Sequence, residues 1–316
     1  VTDLQGVILA AGGGSRLGQL SRNRSKAMMP IVGKPIVERI MDDMAACGID
    51  DFFVVVSPGD TAIEDHFHAV RRSNFNVRIV YQPERLGMAD ALSQAAPLIS
   101  GNFMLSACDN LVPLSDFRRV VNKWKSSPSL QALLTLIPVS ADKVPSMGIV
   151  AMDGAAITRI VEKPSLEDAP SNIASTPLYC FSPKILDYLS EVPASKRGER
   201  ELQDAIQMLI YRDGSVEGLM LTNRMTLTSP NDLLNINMHY LKGVDNVQTD
   251  KVGPNSNFVP PLYIESGVTV GANCTVGPNV YVESGCEIRD GAVVRDAVLL
   301  KGAVVEAGEK VELRVV

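Results

Sequence analysis

Residues 7–35, VILAAGGGSRLGQLSRNRSKAMMPIVGKP, decide how the rest of the chain is read. The apolar run 7–11 is expected to be a buried strand. It meets Gly12, Gly13 and Gly14, then Arg16, Lys26 and the triplet Gly33, Lys34, Pro35, which is expected to open a helix. Glycines let backbone N–H groups approach phosphate oxygens closely, and spaced cations offset their charge. Two common loops are excluded. No Gly-Lys-Ser/Thr closes the stretch, and Leu17 stands where the third glycine of Gly-x-Gly-x-x-Gly belongs.

Outward from this stretch, the residue pattern alternates. A helix is expected after Pro35, with apolar residues at Ile36, Val37, Ile40, Met41, Met44 and Cys47 and an end at Gly48. Strands are expected at 52–56, 77–81 and 102–107, with helices at 60–71 and 88–99 between them. Such alternation implies an α/β fold with a mostly parallel sheet and helices on both faces, whose ligands sit at the carboxyl ends of strands. Further on, strands are expected at 131–138, 148–152, 157–161 and 178–181, and helices at 183–189, 201–211 and 233–241.

The period then changes. Val252, Phe258, Ile264, Val270, Val276, Val282, Ile288, Val294 and Leu300 fall at every sixth position, with Gly, Asn, Ser, Asp and Glu between them. A six-residue repeat fits neither a helix nor a two-residue strand period. It resembles a left-handed parallel β-helix in which the apolar residue points inward, with room for about three coils and a cap at Glu306. The expected domains are therefore residues 1–243 and 250–316.

Composition bounds the function. The chain has 316 residues, 46% hydrophobic and 21% charged, with a formal net charge of −6. Nothing in it gathers basic residues as a nucleic-acid polymer would require. A bound triphosphate must instead be met by a few local cations. The five cysteines are scattered, with no Cys-x-x-Cys pair, and are expected to be reduced thiols of a cytoplasmic protein. No apolar run approaches about 18 residues and no leader segment is visible, so no membrane partner is expected.

The motifs together resemble those of the sugar nucleotidyltransferases, the sugar-1-phosphate pyrophosphorylases. Their Leu-Ala-x-Gly-x-Gly-x-Arg-Leu matches residues 9–17, their Lys-x-x-x-Pro residues 26–30, and their Gly-Lys-Pro residues 33–35. Ser25 stands for the usual proline. The resemblance implies a Rossmann-like three-layer domain with a mixed, mostly parallel sheet. It assigns Leu9, Ala11, Gly12, Gly13, Gly14, Gln82 and Gly87 to the nucleotide. Arg16, Lys26 and Lys163 become the catalytic cations, and Asp109, within 105–110 (LSACDN), the Mg²⁺ ligand. Gly148, Glu162, Lys163 and Thr176 become the sugar-phosphate site. Cys108 and Pro177 replace glycines of the family pattern, and Met88 replaces a small or aliphatic residue. Residues 224–234 align with a segment whose Asp is a second metal ligand. Here that position is Thr226, with Asn223 as the alternative.

Chemically, a glutamine such as Gln82 can read the carbonyl and N–H edge of a pyrimidine, using its donor and acceptor together. The form of residues 82–92 favours UTP or dTTP. The implied reaction joins an NTP and a sugar 1-phosphate into an NDP-sugar and pyrophosphate, the sugar phosphate itself being the nucleophile. Two alternatives stand beside it: a non-catalytic homologue that binds nucleotide sugar and regulates a partner, and an acyltransferase carried by the β-helix. The second needs a histidine base, and no histidine follows His239. The β-helix is expected to support homo-oligomerisation.

Overall fold

A computed structural model describes residues 4–21, 24–69 and 76–316, without the side chains at 15, 16 and 21. The chain divides into two compact units, Val1–Gly13 with Val37–Arg224 and Gly14–Ile36 with Met225–Val316.

The first unit is built on strands β1 (Gln5–Leu9), β2 (Asp51–Val56), β3 (Asn76–Tyr81), β4 (Phe103–Ala107), β5 (Ala132–Pro138), β6 (Gly148–Asp153), β7 (Ala156–Glu162), β8 (Ile173–Phe181) and β9 (Val216–Met220). They form one nine-stranded sheet in the order β3-β2-β1-β4-β8-β5-β9-β7-β6, and β6 also pairs with β8. β1 to β4 are mutually parallel, while β8 runs against both β4 and β5, and β7 against β9 and β6. The helices are α1 (Ile36–Ala45), α2 (Thr61–Ala69), α3 (Met88–Ala95), α4 (Leu114–Lys125) and α5 (Leu202–Arg212).

Period-two alternation puts Val7, Leu9, Phe53, Val55, Phe103 and Leu105 in one cluster with Leu92 of α3 and Ile206 of α5. Their neighbours Ile8, Phe52, Val54 and Met104 are also fully buried. A strand buried on both faces reads as a continuous apolar run, which is why 52–56 was legible.

Helix α4 and strand β9 were not anticipated. α3 ends at Ala95 and gives way to a 3₁₀ turn at Ala96–Leu98, because Pro97 cannot donate to the helix ladder. The segment Pro183–Glu191 is likewise 3₁₀ rather than α.

In the second unit, Pro30–Ile31 and Lys34–Pro35 pair as a small hairpin, so the Gly33 triplet precedes α1 rather than opening it. Asn237, on helix α6 (Pro230–Tyr240), accepts from the Val32 N–H at 2.9 Å and donates to Pro30 O at 3.2 Å. Arg24 donates twice to Glu283, at 2.9 and 2.7 Å. Ser229 and Asp232 form a capping box that starts α6.

From Asp245 onward the strands stack in parallel coils. Thr269 pairs with Glu287 and Thr275 with Val293, one coil being three six-residue sides. Ile264, Val276, Val282, Ile288 and Val294 are fully buried inside. After Val294 one residue drops out, at a corner where Asp296 takes φ 46°. Leu299 points inward instead of Leu300, and Val305 and Val311 follow it. The expected cap at Glu306 is thereby corrected: pairing continues through the final strand Lys310–Val315. No disulfide joins the five cysteines, and Cys274 and Cys286 fill the β-helix core. Among the described residues no helix is long and apolar enough to cross a membrane.

Candidate functional site

The carboxyl ends of β1 to β4 form one rim in the first unit. Residues 10–13 leave β1 there. Ala10 N–H donates to Val55 O at 2.7 Å, and the Ser57 hydroxyl donates to Ala11 O at 3.0 Å. Cys108 N–H donates to Leu9 O at 3.1 Å, which sets Asp109 next to the glycine loop. On the other side Gln82 N–H donates to Val56 O at 2.8 Å. The Arg85 guanidinium covers Gly13 so closely that a Cβ there would lie 2.5 Å from one of its nitrogens. Leu9, Ala11, Gly12, Gly13, Gln82, Gly87 and Asp109 thus share a rim. Gly14 and Lys26 fall in the second unit, and the Arg16 side chain lies outside the described residues.

A second cluster forms where β6 begins and β7 ends. Glu162 is almost enclosed, with Lys163 Nζ 3.4 Å from one carboxylate oxygen and its other oxygen sealed without a partner. Lys163 itself takes φ 47°, an unfavourable conformation for a side-chain-bearing residue, and its N–H donates to Met147 O. A Cβ on Gly148 would lie 3.0 Å from Glu162 Oε2, 3.1 Å from Gln203 and 3.1 Å from Ser175 Oγ, so only glycine leaves this cradle open. Burial raises the Glu162 pKa above the usual carboxylate range; Lys163 and Arg197 oppose this, and Glu201 adds to it.

Thr176 is not part of this cluster. It is fully buried, its hydroxyl 2.6 Å from that of Thr135. Adjacent strand residues face opposite sides, so Ser175 occupies the place expected for Thr176.

Loop 195–201 joins the two clusters. Arg197 pairs with Glu201 and lies 4.0 Å from Glu162. Arg200 donates to Leu86 O at 2.6 Å and accepts from Ala89 N–H at 3.1 Å. The Arg200 backbone leaves no room for a Cβ at Gly87, which would come within 2.5 Å of Arg200 O at φ 99°. Sequence reasoning missed Arg197; its signal was the charged run 196–201 just before a helix.

Arg224 is the other unanticipated group. Its Nε donates to Asn110 Oδ1 at 2.5 Å. Burial lowers its pKa, and the charge of Asp109 and the nearby Tyr179 oppose that. Asn223 Oδ1 accepts from the Arg224 N–H at 2.8 Å, and Thr226 belongs to the second unit.

A family model described as "Nucleotidyl transferase" matches residues 5–243, and one described as "GMPPB C-terminal domain" matches residues 258–316. The chain is 31% identical over 231 residues to a UTP–glucose-1-phosphate uridylyltransferase, AglF, of Haloferax volcanii, covering 72% of this chain and 93% of that protein. It is 30% identical over 269 residues to a bifunctional protein GlmU of Methanococcus aeolicus, covering 84% of this chain but only 62% of that longer protein. A solved UDP-glucose pyrophosphorylase bound to UDP-glucose superposes with a TM-score of 0.70, at 21% identity, over 77% of this chain and all of that one. The family match over residues 5–243, with its strand-end rim and glycine loop, shows that the chain belongs to the nucleotidyl transferase family.

Proposed function

We propose that the chain transfers a nucleotidyl group from an NTP, UTP or dTTP being favoured, to a sugar 1-phosphate, releasing pyrophosphate. The observation that carries this reading is the joining of the glycine-loop rim to the Glu162–Lys163 cradle by loop 195–201. One rim suits an anionic nucleotide. The cradle suits a hydroxyl-rich ligand that ends in an anion: Glu162 and Ser175 accept and donate to hydroxyls, and Lys163 with Arg197 meets the phosphate. The named functions of the relatives support the same substrate classes.

The reaction needs no covalent protein intermediate. A sugar-phosphate oxygen attacks the α-phosphorus in line, and pyrophosphate leaves opposite. The protein positions the two anions and neutralises charge. Gly12 and Gly13 admit the phosphates to backbone N–H groups. Arg16 and Lys26 are assigned to the leaving pyrophosphate and the nucleotide phosphates, and Lys163 to orienting the attacking phosphate.

Asp109, a carboxylate just past a strand end, is of the right chemistry to hold Mg²⁺ together with phosphate oxygens. Arg224 brings a positive charge towards Asp109, and Thr226 stands where the family pattern has its second Asp, so the sequence offers a one-carboxylate set. Bound there, the ion would supply charge neutralisation at the phosphates. The same one-carboxylate set is what favours the alternative, a nucleotide-sugar-binding regulatory homologue. A self-associating β-helix completes the proposal.

A pyrophosphate-release assay across five NTPs and a panel of sugar 1-phosphates tests it. Turnover with a pyrimidine nucleotide is expected, falling at least about a thousandfold in Arg16→Ala or Asp109→Ala. Nucleotide binding without turnover across the panel would leave the regulatory reading instead.

A further inference from the structure

Gln82 follows β3 and is 4% exposed. Its amide nitrogen lies 3.1 Å from the Gly87 carbonyl oxygen and 2.8 Å from Asp90 Oδ2. A backbone carbonyl oxygen can only accept, so the amide atom facing it must be the nitrogen, and the orientation of the whole group follows. Both amide protons are then committed inside the protein. Gln82 cannot offer a donor and an acceptor together, as its place in the sequence suggested. What it presents is Oε1. No donor among the described residues reaches that oxygen, and it is not among the buried side-chain atoms left without a partner.

The clamp is itself held. Asp90 is 8% exposed in the first turn of α3. The strand of chain that carries Gly87 is fastened on both sides to the Arg200 backbone.

We infer that Asp90 is a specificity-determining positioning residue: it locks the Gln82 amide oxygen-outward, so the site selects a base with a ring N–H at the centre of its pairing edge. This deepens the proposed function and rests on the base lying against Gln82. Uracil and thymine present N3–H there, and guanine presents N1–H. Cytosine and adenine present a lone pair, which would face Oε1 acceptor to acceptor. Such a mismatch forfeits the hydrogen bond and leaves both groups desolvated. Sites built around a hydrogen bond reject the wrong partner by about a hundredfold or more.

The test compares kcat/KM for UTP, CTP and 4-thio-UTP in wild type, Asp90→Asn and Asp90→Ala. Wild type is expected to prefer UTP over CTP by about a hundredfold. It should use 4-thio-UTP within about threefold of UTP, because no Gln82 proton is left for the position-4 acceptor. Asp90→Asn can donate to Oε1 and lets the flipped amide compete. Its UTP-to-CTP ratio is expected to fall at least about tenfold, with CTP use rising in absolute terms. A uniform loss on both nucleotides with an unchanged ratio overturns the role of Asp90, as does a wild type that uses CTP as well as UTP. A tenfold penalty on 4-thio-UTP in wild type overturns the assigned amide orientation, even if neither variant folds. Absence of turnover with every nucleotide would instead remove the enzymatic reading on which this one rests.

Discussion

The nine-stranded sheet and the β-helix bury the same kinds of side chain under different rules. In the β-helix a strand residue pairs with the one about eighteen positions on, as Val270 pairs with Ile288, so adjacent coils supply the ladder partners. In the sheet, Leu178 of β8 pairs with Ser106 of β4, while Tyr179 next to it pairs with Leu105 and, across a register shift, with Leu134. A repeat makes long-range contacts periodic in sequence, whereas a mixed sheet brings together segments with no common spacing. The difference also separates tasks. The β-helix interior holds only packing residues, whereas the sheet's strand ends expose chemistry on two rims. A single glycine therefore means different things in the two regions.

The largest expected effect is on the coil stack. A Cβ at Gly271 would lie 2.6 Å from the Asp290 N and 3.0 Å from the Arg289 C of the next coil. Backbone cannot yield there as a side chain can. Gly271→Ala is expected to destabilise the β-helix by about 2–4 kcal/mol, read as a lowered first transition in thermal unfolding. An unchanged melt would mean that the coils separate easily, and the contrast drawn above would fail.

At Gly12 the expectation reverses. A Cβ there meets nothing within 4 Å, so Gly12→Ala should leave the melting curve within about 0.5 kcal/mol of wild type. If phosphate oxygens come against this backbone, kcat/KM for the NTP should fall by about 1–2 kcal/mol, or roughly five- to thirtyfold. Equal loss of stability and activity would erase the distinction between a packing glycine and a ligand glycine.

The smallest expected effect is a pH-dependent one at Glu162. Burial raises its folded-state pKa, so the folded protein holds this proton more tightly than the unfolded chain. Its contribution to stability is then fully present below the unfolded carboxyl pKa and is lost as pH rises through the folded one. Glu162→Gln, which imitates the protonated form, is expected to raise the melting temperature by a few degrees at neutral pH and by less in acid, while weakening sugar-phosphate use. A melting difference that grows toward acid would reverse the sign and place Glu162 in a stabilising ion pair instead.

Much of this was readable beforehand, and the limits have physical causes. The buried strand 52–56 and the half-buried edge strand 77–81 announce themselves because both faces of the first and part of the second must be apolar. The six-residue period held from Phe258 to Val294; it missed at Val252, which is exposed, and failed at Leu300 because a shortened corner moved the inward position to Leu299. Helix α4 was missed although Phe117, Val120, Val121 and Trp124 recur at helical spacing, with Asp116 buried beside them. At the candidate site, the glycine loop, Gln82, Asp109, Gly148, Glu162 and Lys163 were named by the motifs that carry them. Arg197 and Ser175 were not, since no motif names them and only the fold brings them to Glu162.

Residues 7–35 show where that boundary lies. Order along the chain was enough to specify a strand, a glycine loop and a set of cations, because local sterics and charge need no partner to be stated. Which of those residues share a compact unit was not: the division falls between Gly13 and Gly14. The same holds at Gln82. Its identity says that an amide faces the rim, but which end faces outward depends on Asp90 and the Gly87 carbonyl, both placed by the fold. Composition and spacing specify what groups are available; hydrogen-bond partners fixed in space determine which of their donors and acceptors remain to be used.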